Sequence, residues 1–92
     1  MNLQVRVTAP IVHLCPFRDE TDYGTVTLTY NPDDGEIEFH DLRTHLDEFA
    51  ARRITHERLT AELHNYYPHA DITTEWSTAG MGIECAVPRD SA

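Results

Sequence analysis

Thr25-Val26-Thr27-Leu28-Thr29-Tyr30-Asn31-Pro32-Asp33-Asp34-Gly35 is the stretch on which the fold turns. Val26, Leu28 and Tyr30 alternate with threonines, the period of a strand with one buried face. Asn-Pro-Asp-Asp-Gly then gathers the residue types that favour turns. Residues 36–39 follow and are expected to return as a short third strand, making a hairpin. Upstream, Leu3, Val5 and Val7 alternate with Gln4, Arg6 and Thr8 and predict a first strand. Residues 9–23 lie between, with Pro10, Pro16 and a polar run over 18–22. They read as a loop, long for so small a domain, and long loops are often functional.

Downstream the period lengthens. Leu42, Leu46 and Phe49 sit at i, i+4 and i+7, one apolar stripe of a helix opened by His40 or Asp41. Thr55 is placed to cap a second helix, with Ile54 and Leu59 as a hydrophobic staple. Leu59, Leu63 and Tyr66 make its stripe, and Pro68 ends it. Ile72, Thr74 and Trp76 alternate in a fourth strand. Gly80-Met81-Gly82 allows a tight turn, and Ile83, Cys85 and Val87 form a last strand. The expected order is β-β-β-α-α-β-β: a single α+β domain over 1–92, an antiparallel sheet with two helices on one face.

The charge balance narrows the function. Sixteen acidic residues face seven basic ones, all arginine, giving a formal net charge of −9. An acidic surface without lysine suits a protein hydrated in concentrated salt, so a halophilic source is expected. The charge disfavours binding nucleic acid by a basic footprint. Molar salt softens that exclusion, since the Debye length falls to about 3 Å. Two cysteines are too few for a disulfide framework. The alternating N-terminus carries no apolar leader, and no run approaches a membrane span. A cytoplasmic protein with reduced thiols and no membrane association is expected.

Cys15 lies in the long loop, within His13-Leu14-Cys15-Pro16. A free cysteine is most often an inert buried hydrophobe. Asp22 reads equally as a solvated acid, and Glu57 as an acid favoured by a helix first turn. Cys85 reads as core. His13, Cys15, His56 and Cys85 could converge on a metal, but no CxxC or HxxxH spacing supports it, and none is expected. No phosphate loop, dinucleotide fingerprint or serine elbow is present.

Taken together, these residues resemble one family. Cys15-Pro16, then Asp22-Tyr23-Gly24-Thr25-Val26, then Thr29-Tyr30-Asn31-Pro32-Asp33 resemble the opening of the 7-cyano-7-deazaguanine (preQ0) reductases, QueF. That family has a Cys-Pro, a Gln-Pro-Asp-Phe-Ala-Thr run and a strand ending in Tyr-x-Pro. Residues 38–43 align without gaps to its Glu-Ser-Lys-Ser-Leu-Lys motif. His56-Glu57 keeps the same register, and Gly80-Met81-Gly82-Ile83 resembles a late Arg-Gly-Gly-Ile segment.

The resemblance implies a tunnelling fold, its barrel completed by homo-oligomerisation of pentamer or decamer type, with interfacial active sites. It implies that Cys15 attacks the nitrile carbon of preQ0 to form a thioimide and that Asp22 protonates the nitrogen. His56 would stand beside the reacting centre, and Glu57 and Glu38 would bind the substrate. A thiolate suits a modest electrophile, and a carboxylate can accept two N–H groups of a guanine-like edge.

The departures matter as much. The family's lysines for NADPH are His40 and Arg43 here, and its serines are Phe39 and Asp41. The chain is therefore most similar to the short archaeal QueF-like amidinotransferases, which need no NADPH. There ammonia replaces hydride, and preQ0 in tRNA becomes archaeosine. Two alternatives stand beside this: an NADPH-dependent nitrile reductase, and a non-catalytic tunnelling-fold protein binding a purine or pterin ring.

Overall fold

The structure, a computed structural model, describes residues 2–91; Met1 and Ala92 lie outside the described residues. Four strands and two helices are laid down in the order β1 (Val5–Leu14), β2 (Thr21–Tyr30), α1 (Phe39–Asp47), α2 (His56–Tyr66), β3 (Asp71–Thr78), β4 (Met81–Val87). The strands form one antiparallel sheet in sequence order. Both helices pack on one of its faces, α1 against β1 and α2 against β3 and β4.

The alternation around Thr25 does what its period requires. Val26, Leu28 and Tyr30 turn inward onto the helices, joined by Ile72, Thr74 and Trp76 of the neighbouring strand. Leu42, Leu46, Phe49, Ile54, Leu59 and Leu63 close the layer from above. Each such fully buried aliphatic side chain contributes roughly 1.5–3 kcal/mol. The opposite face carries Thr8, Thr25, Thr27, Thr29 and Thr73 at its middle, with Thr8 and Thr27 hydrogen-bonded across the strands at 3.3 Å.

Four expectations need correction. The long loop over 9–23 is mostly strand. β1 runs on through Pro10 to Leu14, and β2 starts at Thr21, leaving a connection of residues 15–20. Pro10 is tolerated because β1 is an edge strand, where a missing N–H breaks no ladder bond.

The third strand is absent among the described residues. Pro32–Asp34 make a 3-10 turn capped by Asn31, and Glu38 becomes the N-cap of α1. Its carboxylate accepts the Asp41 N–H at 2.7 Å, which starts the helix where a strand was expected.

The apolar stripe of α2 ends on Tyr67, not Tyr66. Tyr67 is 8% exposed and Tyr66 is 53% exposed. The chain leaves the helix at Tyr67, and a 2.6 Å hydrogen bond between its hydroxyl and His45 Nδ1 holds the ring inward. The last hairpin turns on Ala79 and Gly80, one residue earlier than Gly80-Met81-Gly82 suggested. Both have positive φ, the signature of a tight two-residue hairpin. No helix among the described residues is long and apolar enough to cross a membrane.

Candidate active site

The β1–β2 pairing sets His13 directly opposite Asp22. Cys15 is the first residue beyond β1, and its N–H donates to the Glu20 carbonyl at 2.9 Å. The segment between the helices supports this corner from outside. The Leu14 N–H donates to the Arg52 carbonyl at 2.9 Å, and the Ile54 N–H donates to the Leu14 carbonyl at 3.2 Å. Between those bonds Arg53 reaches over, donating to the carbonyls of Cys15 at 3.0 Å and Arg18 at 3.4 Å. Cys15 is half-buried and its thiol is free.

Thr55 then delivers the other half of the site. Its Oγ1 accepts the Arg58 N–H at 3.1 Å, so α2 begins with His56 and Glu57 in its first turn. Ile54 and Leu59 are both buried, as a staple requires. The Thr60 hydroxyl donates to the His56 carbonyl at 2.8 Å. Trp76 Nε1–H donates to Thr74 Oγ1 at 2.9 Å, and Thr74 in turn meets Thr60 at 2.7 Å. With the Thr60 proton committed to His56, Thr74 must donate to Thr60, and the buried network is satisfied.

Cys15, Asp22, His56 and Glu57 thereby line one cavity of about 220 Å³, with His13, Pro16, Phe17, Thr55, Thr78 and Ile83. His56 lies flat on the Trp76 indole, centroids 4.4 Å apart and planes 13° apart. His13 meets both rings edge-on. Its Nε2 is 2.8 Å from His56 Nδ1 and 3.6 Å from Asp22 Oδ2. Burial pushes the His56 pKa down, the adjacent His13 adds to that, and Asp22 and Glu57 oppose it. A neutral imidazole beside a thiol and two carboxyl groups can accept and return a proton.

The remaining expectations divide. Glu38 is not brought to this cavity; its carboxylate is spent on capping α1 and on His40 at 3.0 Å. Cys85 is half-buried on β4, away from the Cys15 cavity and outside the core cluster. Of the four residues weighed as metal ligands, three reach the cavity. Ligand atoms of His13, Asp22 and His56 lie within 4.8 Å of one another, a spacing a cation could bridge, although the imidazoles already hydrogen-bond directly. Arg52 and Arg53, just before α2, are paired with Glu62 at 2.7 Å and Asp19 at 3.4 Å. The sequence reading missed Trp76 and Thr78 as parts of the site, and saw His13 only as a possible ligand. The available signal was His13 itself, a polar residue two positions after Ile11 on the inward face of a strand.

No family model matches the chain. It is 31% identical over 80 residues to the NADPH-dependent 7-cyano-7-deazaguanine reductase of Prosthecochloris aestuarii, covering 80% of this chain and 68% of that one. It is 32% identical over 60 residues to the reductase of the same name from Synechocystis sp., covering 64% of this chain but only 44% of that protein. The chain thus spans from under half to about two thirds of these relatives. The crystal structure of an archaeosine synthase QueF-Like in the apo form superposes with a TM-score of 0.88, covering 97% of this chain and 95% of that one at 20% identity. That last likeness establishes the fold.

Proposed function

As the chain belongs to the family of 7-cyano-7-deazaguanine reductases and their QueF-like relatives, we propose that it converts the nitrile of preQ0, carried in tRNA, to an amidine through a thioimide on Cys15. The Cys15 thiolate adds to the nitrile carbon. A C–S bond forms, one C–N π bond becomes a lone pair on nitrogen, and Asp22 supplies the proton that nitrogen takes up. Ammonia then adds to the same carbon, the C–S bond breaks, and the thiolate leaves with the electron pair. His56 accepts the proton shed by the entering amine, and Glu57 accepts N–H groups of the deazaguanine edge. A homo-oligomer would complete the cavity by setting a second copy against the outer edges of β1 and β4.

One observation carries ammonia over hydride. At the segment where the resemblance expects NADPH, both side chains at the lysine positions are engaged by acids. Arg43 pairs with Asp47 at 2.7 Å and His40 with Glu38 at 3.0 Å. Phe39 beside them is exposed, and the chain has no lysine. The wall of Cys15, Asp22, His56 and Glu57 meanwhile stands intact. No cofactor is required by this reading.

The reductase reading is favoured by the names of the curated relatives, all NADPH-dependent. Intact mass of wild type and Cys15→Ala with preQ0 tests what both share: an adduct on wild type alone is expected. Ammonium and preQ0-containing tRNA then give a nucleoside heavier by one ammonia, while the free base tests whether tRNA is needed. Loss of nicotinamide absorbance with NADPH would instead establish reduction. No adduct on either protein, with preQ0 free or in tRNA, would leave a ring-binding, non-catalytic role.

A further inference from the structure

The two imidazoles of the cavity admit one consistent set of protons when both are neutral. His13 Nδ1 lies 3.0 Å from the Leu14 carbonyl, which can only accept, so Nδ1 carries the hydrogen. His13 Nε2 is then a bare lone pair. His56 Nδ1, 2.8 Å away, must donate to it. His56 Nε2 is left unprotonated, 3.3 Å from the Thr78 hydroxyl on the wall of the cavity. His13 has no room to turn. It is 0% exposed and set edge-on to Trp76 at 4.8 Å.

We propose that His13 is a positioning residue, which holds His56 in its Nδ1–H form so that Nε2 faces the cavity as a proton acceptor. The proposal rests on the reading of this cavity as a nitrile-processing site. A histidine without such a neighbour distributes its proton between both nitrogens, and only the form with a bare Nε2 can take a proton from an entering amine or from the thiol. The carbonyl at residue 14 thus reaches, through two rings, to the atom that meets the substrate. The groups facing the pair are Asp22 from β2, Glu57 from α2, Cys15 from the connection after β1, and Trp76 and Thr78 from β3. Asp22 at 3.6 Å from His13 Nε2 is beyond hydrogen-bonding distance, so it leaves the imidazole pairing undisturbed.

Nitrogen NMR of the ring atoms in the free protein at mildly alkaline pH reads the arrangement directly. Nδ1 of both histidines should carry hydrogen, with Nε2 of His56 bare. His13→Gln keeps an oxygen that can accept from His56 Nδ1, and His13→Leu offers none. The Leu variant should show His56 as a tautomer mixture and should slow amidine formation roughly tenfold, the worth of one net hydrogen bond. The Gln variant should restore both the tautomer and most of the rate. A wild-type His56 protonated at Nε2, or a Gln variant no better than Leu, would overturn the proposal. Because the ring signals need no substrate, they decide it even if the Leu variant fails to fold. A wild type that forms no adduct with preQ0, free or in tRNA, would instead remove the nitrile reading while leaving the tautomer result in place.

Discussion

Gly24 lies directly beneath the Trp76 indole. A Cβ built on it would stand 2.8 Å from Trp76 Cδ2 and closer still to Cε3. Only a residue without a side chain lets β2 and the indole approach so closely. Trp76 is in turn the platform for His56.

Gly24→Ala should therefore act twice. Overpacking should cost about 1–3 kcal/mol in a urea titration. The displaced indole should carry His56 with it, so turnover falls further than stability accounts for. Trp76 is the only tryptophan, and its emission reports the shift without a label.

Asp22→Asn should separate chemistry from folding. The carboxyl is largely buried opposite His13, and the amide is nearly isosteric. Loss of a positioned acid should slow thioimide formation by roughly 10²–10⁴-fold. Timed intact-mass sampling with preQ0 measures it, and a rate within a factor of two of wild type would exclude Asp22 as the proton source.

Glu57→Gln should weaken binding more than it slows reaction. Glu57 is exposed in the first turn of α2, so the fold should be untouched. Losing one charged hydrogen-bond acceptor costs roughly 1.5–3 kcal/mol, which should appear in the preQ0 dissociation constant. Calorimetry on a Cys15→Ala background isolates that term from adduct formation.

Stability should fall with acid in two separate windows. The His56 pKa is lowered in the folded state, so between that value and the unfolded one, about 6.5, the unfolded chain binds more protons. Stability should drop as pH falls through this window and level off below the folded pKa. Asp71 behaves as an ordinary paired carboxylate. Arg89 holds its pKa down by hydrogen bonds, so its contribution is present above about 3.9 and is lost as pH falls through the depressed folded value. Asp71 is half exposed and its share should be small. Urea midpoints across pH for wild type, His56→Phe and Asp71→Asn check both windows, each variant flattening its own.

Arg53→Ala should loosen the connection that carries Cys15, since one guanidinium holds the carbonyls of both Cys15 and Arg18. Adduct formation should slow while the melting temperature stays close to wild type. Arg53→Lys should recover little, because a single ammonium does not reproduce the planar fork.

How far the fold was legible follows from which forces act locally. Val26, Leu28 and Tyr30 announced their face because burial imposes a period of two. Thr55 announced its helix because capping is read over three residues. Pro10 misled because its cost depends on whether a strand lies at an edge, which is a property of the whole sheet. Glu38 misled because an acid before Phe39 serves a strand or a cap equally well until the chain is seen to turn. At the site, Cys15, Asp22, His56 and Glu57 were reachable through a shared register with known enzymes. His13 was not, because its meaning lies in a pairing with Asp22 across a strand and with His56 across 43 residues of chain.

The short bridge between Leu14 and the linker before α2 makes the position of Cys15 a joint property of two distant parts of the chain. The linker is anchored on the backbone of Leu14 and Cys15, so its length sets where Cys15 stands relative to His56. Lengthening the linker by a single residue should silence the chemistry in a protein that still melts normally. The same tether should leave the Leu14 and Ile54 amides among the slowest to exchange with deuterated water.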